Sequence, residues 1–282
     1  MELFFTRLWG HFPGHTVPFI SQDEPDENGL RHLALVLAYQ GGNWAGWQRQ
    51  NDRPSLQAAV ELVLGRLCGH ELRVHASGRT DAGVHAFGQV VSFTTSSRLP
   101  LAQMLSALRS MLVNSIYAVS LGPVSPGFHA RYSALAKTYD YYLATGMPTI
   151  AFVEPFLWGM SYKLDPKPVG QALMLFSGKQ NLRALSTGQA NNENTMRQIH
   201  EARLDAKPGL WRIRITAQGF LRHVVRNLVG ILVQIARHEL KPGQLAEMLR
   251  AGEKLYPAPK APPNGLYLNK VYYHPWPGPA QD

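Results

Sequence analysis

The stretch Ser77-Gly78-Arg79-Thr80-Asp81-Ala82-Gly83-Val84-His85-Ala86 gathers the side chains best suited to chemistry: a carboxylate, a guanidinium and an imidazole in one short segment. Two glycines bracket the acid, and glycine permits positive φ and a close approach by another backbone or a substrate. A carboxylate so placed can act as a nucleophile, an electrostatic stabiliser or a base. It can equally cap a turn through its own backbone, which is the commoner use of a lone Asp in a loop. Arg79 can pair with it or hold a phosphate. His85 can serve as a base or as a satisfied structural group among apolar neighbours. A hydrolase built on Asp81 and His85 needs a second acid–base group or a metal cluster, and no motif of that kind stands out. Spacing alone leaves these alternatives open.

Periodicity gives the elements that must position this segment. Leu33, Leu35 and Leu37 alternate over Arg31–Tyr39 as on a strand. A loop with Gly41, Gly42, Trp44, Gly46 and Trp47 follows. Ser55 is of N-cap type, and Leu56, Ala59, Val60, Val63, Leu64 and Leu67 then recur at helical spacing. Strands are predicted at Glu71–Ala76 and Gly88–Thr94, on either side of the Asp81 segment. A helix over Leu101–Leu112 and a strand over Ile116–Leu121 complete the first half. The second half repeats the mixture, with strands at Lys137–Ala144, Met196–Leu204 and Leu210–Ile215. Its helices are Pro168–Phe176, the strongly apolar Phe220–Ala236 and the short Pro242–Arg250. A strand over Leu266–Tyr273 closes the chain after the proline-rich loop Pro257–Pro263. Two such mixtures imply an α+β fold of two related subdomains with a mostly antiparallel sheet. The divisions are an acidic, flexible extension over 1–30, a subdomain over 31–135 carrying Asp81, a second over 136–276, and a tail over 277–282.

Composition bounds the partners. The 282 residues hold 28 Lys and Arg against 19 Asp and Glu, a formal charge of +9. Residues 1–30 carry one arginine against five acids, a charge of −4, which leaves +13 on residues 31–282. Such a body favours a polyanion, since each neutralised phosphate releases counterions. A single cysteine, Cys68, excludes an intramolecular disulfide framework and any multi-cysteine metal site. Its place on the apolar side of a predicted helix fits a small buried hydrophobe. No apolar run of ~18 residues occurs, so no membrane span is expected, and the protein reads as cytoplasmic. The apolar residues Leu3, Phe4, Phe5, Leu8 and Trp9 are interrupted by Arg7, His11 and Pro13 and lack the pattern of a signal peptide.

Six strings taken together resemble the TruA family of tRNA pseudouridine synthases, from about Leu33 to Tyr272. They are Tyr39-Gln40-Gly41 with Gly46-Trp47-Gln48-Arg49-Gln50; Gly78 to His85; and Phe128-His129-Ala130-Arg131-Tyr132-Ser133-Ala134. Then come Lys137-Thr138-Tyr139-Asp140-Tyr141; Phe220-Leu221-Arg222-His223-Val224-Val225-Arg226-Asn227; and Gly265-Leu266-Tyr267-Leu268. The resemblance implies the pseudouridine synthase fold, with helices flanking the sheet around a basic cleft. It also implies a cofactor-free isomerase, without metal, that acts as a homodimer on uridines 38, 39 and 40 of the tRNA anticodon stem-loop. Asp81 then falls on the family's essential carboxylate, acting as a nucleophile or by removing a sugar proton. Arg226 falls on the arginine that pairs with that acid, and a neighbouring guanidinium favours an ionised carboxylate. Arg79 falls on the arginine beside it, which contacts RNA and helps hold the target nucleotide out of its stack. Tyr139 falls on the active-site tyrosine, whose ring can stack on a flipped uracil, although Tyr141 shares its alternation and either can instead fill the core. Arg49, Arg53, Arg131, Lys137 and Arg222 become candidate phosphate contacts. Two departures lie away from these positions: Leu182 and Leu185 stand where relatives often carry phenylalanine, and Ser110–Val113 lacks the usual Asn and Pro.

Overall fold

The computed structural model describes residues 16–146, 151–188 and 194–278. The apolar residues of 3–9 and the end of the tail, 279–282, lie outside the described residues. Two compact units divide the chain, one reaching to Ala134 with Leu268–His274 added, the other running over Leu135–Tyr267 and from Pro275 on. The sequence placed residues 268–274 in the second subdomain; they group with the first unit.

In the first unit β1 (Arg31–Tyr39) runs antiparallel between β4 (Ile116–Pro123) and β3 (His85–Thr95), with the two-residue β2 (His75–Ala76) on β3. Leu33, Leu35 and Leu37 are buried, as the alternation predicts, but so are Ala34 and Val36. Both faces of β1 are therefore covered. α1 (Leu56–Cys68) and α2 (Leu101–Met111) pack together, and α2 also packs on β4.

α1 begins where expected, with Ser55 at the N-cap, but the Ser55 hydroxyl makes no capping hydrogen bond. It is buried instead. Cys68, at the helix end, is only half-buried. The larger surprise is Glu61, which is buried on the core side of α1. Its carboxylate accepts from the Val74 N–H at 3.0 Å and from Gln57 at 3.0 Å, and pairs with Arg49. This accounts for the shortened strand: Val74 gives its N–H to a helix side chain, and sheet pairing begins only at His75.

The acidic stretch before β1, expected as a flexible lead-in, makes specific contacts from residue 16 onward. Thr16 pairs with Tyr272 and donates its hydroxyl to Val271. The Phe19 ring lies where a side chain on Gly122 would sit, 2.7 Å from the Cβ position. Asp23 forms an ion pair with the buried Arg31, and Asp26 bonds His32 at 2.9 Å. Bonds from His32 and the Leu30 N–H hold the Asp26 carboxyl below its usual range. The acidic composition thus has a structural use: it neutralises Arg31 and binds His32 at the start of β1.

In the second unit β5 (Ala136–Thr145), β9 (Leu210–Ala217), β8 (Met196–Lys207) and β7 (Gly178–Asn181) follow in antiparallel order, with β6 (Trp158–Met160) parallel to β5. Here α3 (Pro166–Phe176) packs on β8, α4 (Val224–Ala236) and α5 (Pro242–Ala251). β7, whose sequence Gly-Lys-Gln-Asn has no strand signal, exists because it pairs with Met196–Ile199. α4 starts at Val224 rather than Phe220, because His223 adopts φ 65° and cannot continue a right-handed helix. The strand β10 (Leu266–Tyr272) closes the order of elements. The fold is α+β with a mostly antiparallel sheet, as the sequence predicts.

Candidate active site

Asp81 sits in the connection between β2 and β3, and the rest of that connection is held by buried polar groups. Ser77 donates its N–H to Val90 at 2.8 Å and its hydroxyl to the Gln89 side chain at 2.7 Å. Gln89 returns its amide to the Gly78 carbonyl at 2.8 Å and to the Tyr39 hydroxyl at 3.3 Å. Tyr39 bonds the Thr80 hydroxyl at 2.9 Å. Burial pushes the Tyr39 phenol up to about 12, so it remains a neutral hydrogen-bonding group. Gly83, at φ 81°, and a bond from the Val84 N–H to the Asp81 carbonyl at 3.1 Å close the turn.

The glycine- and tryptophan-rich loop after β1 forms the other side of this clamp. The Trp47 N–H donates to the Thr80 carbonyl at 3.0 Å. A Cβ on Gly46 would lie 2.8 Å from the Thr80 oxygen and 3.1 Å from the Asp81 carbonyl carbon. A Cβ on Gly41 would lie 2.1 Å from the Val84 oxygen. Only glycine lets the two backbones come this close. The Gly41 N–H also donates to His85 Nδ1 at 3.2 Å, and the ring of His85 is buried. His85 is therefore used structurally, which removes it as the free base of a hydrolytic pair. The Asp81 residue is half-exposed and Arg79 exposed. A carboxylate and a guanidinium are thus presented from a turn that its neighbours immobilise.

In the second unit Tyr139 and Tyr141 occupy one face of β5, and their environments differ. Tyr141 is fully buried, its hydroxyl donates to the Pro262 carbonyl at 2.8 Å, and burial raises its phenol far above the ordinary value. It is a core residue. Tyr139 is 8% exposed and meets the Phe220 ring edge-on at 5.0 Å. Phe220, from the turn before α4, is a neighbour to which sequence reasoning assigned no role. Arg226, in the first turn of α4, is 9% exposed and is no surface charge. Its Nε donates to the Ala261 carbonyl at 2.8 Å, while the Ala261 N–H donates to the Arg226 carbonyl at 3.1 Å. Gly230, one turn further on, allows the proline-rich loop to lie against the helix, since a Cβ there would be 1.8 Å from the Pro259 oxygen.

The opposite face of β5 holds charges that periodicity did not flag. Asp140 is fully buried and accepts two bonds from Arg214, each 2.7 Å long. Strand propensity carries no signal for such a pair, which becomes visible only when β5 and β9 are in register.

Among the candidate phosphate contacts, Arg49 pairs with Glu61, Arg53 is exposed in the same loop, and Arg131 lies in the turn before β5. Lys137 is on β5, and Arg222 is exposed just before α4. Leu182 and Leu185 are buried in a short 3-10 turn, where the Leu185 carbonyl accepts from Asn227 at 2.7 Å, so leucine fills these sites as core. No helix of the described residues is long and apolar enough to cross a membrane.

The sequence pattern of a family described as tRNA pseudouridine synthase matches residues 35–133 and 172–274. Asp81, Arg79 and Arg226 lie inside those segments, and Tyr139 lies between them. Among curated proteins, tRNA pseudouridine synthase A of Moorella thermoacetica is 37% identical over 86% of this chain and 99% of its own length. The protein of the same name from Thermodesulfovibrio yellowstonii is 34% identical, covering 86% of this chain and 99% of that one. A third, from Nitrosomonas europaea, is 33% identical over 86% of this chain and 89% of its own.

Proposed function

Because the chain belongs to the tRNA pseudouridine synthase family, an isomerase family acting on uridine in tRNA, we propose that its targets are uridines 38, 39 and 40 of the anticodon stem-loop and that Asp81 is the essential carboxylate. The observation that supports Asp81 is the clamped turn: Thr80 and Val84 on either side are held by hydrogen bonds and close glycine contacts, while the acid itself remains half-exposed.

In the reaction the N1–C1′ bond of uridine breaks, the uracil turns, C5 bonds to C1′, the hydrogen on C5 leaves as a proton to solvent, and N1 takes up a proton in its place. A carboxylate can carry the sugar through this sequence by bonding to C1′ and later leaving, or by stabilising its developing positive charge. It can also remove and return a sugar proton. Each route leaves the carboxylate unchanged, so no co-reactant is required. Arg226 is proposed as the guanidinium that favours the ionised acid, Arg79 as the cation that steadies the displaced nucleotide, and Tyr139 as the ring that meets the uracil. A homodimeric, cytoplasmic enzyme completes the reading, and these two points rest on resemblance and composition.

Unmodified tRNA tritiated at uracil C5 provides the test, because forming the C5–C1′ bond must expel that hydrogen. Wild-type protein should release tritium to water, and Asp81→Ala should bind tRNA and release none. Transcripts with cytidine at positions 38, 39 and 40 in turn should each lose their share of the release. Unaltered release by Asp81→Ala would remove that residue from the chemistry, and release unaffected by all three replacements would move the target elsewhere.

A further inference from the structure

The turn at 128–133, between β4 and β5 in the chain, holds an aromatic side chain far out into solvent. Ala130 is fully buried; its N–H donates to Ser92 at 3.1 Å, and its carbonyl accepts from the Tyr273 hydroxyl at 2.8 Å. The His129 N–H donates to the Ser133 hydroxyl at 3.0 Å, and the Ser133 N–H returns to the His129 carbonyl at 2.9 Å. The N–H groups of Arg131 and Tyr132 both donate to His129 Nδ1, at 3.1 and 3.3 Å. That nitrogen must carry a lone pair, so the ring is neutral with its proton on Nε2. Burial, with His75 and Arg131 nearby, holds its pKa below the ordinary value, in agreement with the bonding.

Out of this bolted turn Tyr132 projects with 77% of its surface exposed. A single exposed tyrosine is ordinary. This one is the outer member of a row of π groups. Its ring lies 4.4 Å from that of His129, which lies 5.0 Å from that of His75. The Arg131 guanidinium lies 5.6 Å from the Tyr132 ring centroid. A rigid ring with a cation beside it, on a chain whose body carries net positive charge, has the chemistry of a nucleobase platform: the ring stacks, and the guanidinium takes the adjoining phosphate.

We propose that Tyr132 and Arg131 form a second RNA-binding point, where an unpaired base of the tRNA other than the target uridine stacks on Tyr132 and its phosphate meets Arg131. The inference rests on the tRNA reading above. It adds a contact that holds the loop while the target is turned out elsewhere. The rigidity of the turn matters because an immobilised ring loses little entropy on binding.

The test measures tRNA affinity of the full-length protein over a range of salt. Tyr132→Ala should weaken binding ~5- to 150-fold, the range of one lost stacking contact, and Tyr132→Phe should restore it to within about twofold of wild type. Stacking releases no counterion, so Tyr132→Ala should keep the wild-type slope of log Kd against log salt, whereas Arg131→Met should lower it by about one unit. tRNA carrying 2-aminopurine at single unpaired positions should show quenching with wild type at one position, lost in Tyr132→Ala. Unchanged affinity in Tyr132→Ala overturns the proposal. So does a shift from dimer to monomer that accounts for the lost affinity, because Tyr132 would then be a contact between copies of the chain. Failure of the tRNA reading looks different: wild type itself neither binds tRNA nor releases tritium.

Discussion

The Asp81 turn and the Tyr139–Arg226 region place the proposed site residues by opposite means. Asp81 belongs to no helix or strand; its turn is fixed by glycines pressed against backbone and by a relay from Gln89 through Tyr39 to Thr80. Tyr139 and Arg226 sit on a strand and a helix, where both are buried among the side chains of regular elements. The first arrangement leaves the acid accessible while its backbone is rigid. The second holds large side chains at the edge of a core. Precision in a loop therefore depends on a few irreplaceable close contacts, whereas in regular elements it is spread over many.

Paired glycine substitutions give the largest expected effect. Gly41→Ala would push a methyl to 2.1 Å from the Val84 oxygen, and Gly230→Ala to 1.8 Å from the Pro259 oxygen. Both should destabilise by ~3 kcal/mol or more, because backbone is the obstacle in each case. Gly41→Ala should in addition cut tritium release ~100-fold in the fraction that stays folded, by displacing the Asp81 turn. Chemical denaturation with single-turnover release checks this, and a folded Gly41→Ala protein of wild-type rate would dissolve the contrast between the two regions.

Arg226→Met should come next. It deprives the Ala261 carbonyl of its donor, a loss of ~1–3 kcal/mol in unfolding free energy measured by chemical denaturation. If Arg226 also serves Asp81, activity should fall further than this stability loss explains, and Arg226→Lys should recover only part of either. Equal losses of stability and activity would confine Arg226 to the proline-rich loop.

Tyr39→Phe keeps the ring against Trp47, 6.1 Å between centroids, and removes one member of the relay to Thr80. Its expected cost is ~1 kcal/mol. The smallest effect concerns pH. The Tyr39 phenol stands at about 12 in the folded chain against 10 ordinarily, so its contribution is complete below pH 10 and is lost as pH climbs toward 12. Tyr141, Tyr142, Tyr267 and Tyr273 are raised in the same direction. The observable is therefore a difference: Tyr39→Phe should lose less stability than wild type between pH 10 and 12, and parallel melting curves there would remove Tyr39 from the account.

Local pattern determined much of this protein. The strand Arg31–Tyr39 and the start of the first helix at Leu56 stand where periodicity puts them, because apolar side chains repeat at the spacing of the element that buries them. The residue types of the Asp81 segment leave a structural turn and a chemical role both open, and the family resemblance favours the second. Tertiary structure decided what local pattern could not carry. Glu61 on a core face, the Asp140–Arg214 pair, the strand at Gly178–Asn181 and the late start of the helix at Val224 each depend on a group distant in sequence or on one backbone angle. The same holds for why Gly41 and Gly46 must be glycine: the reason is the backbone of residues 80–84, and no pattern within residues 40–47 encodes that distance.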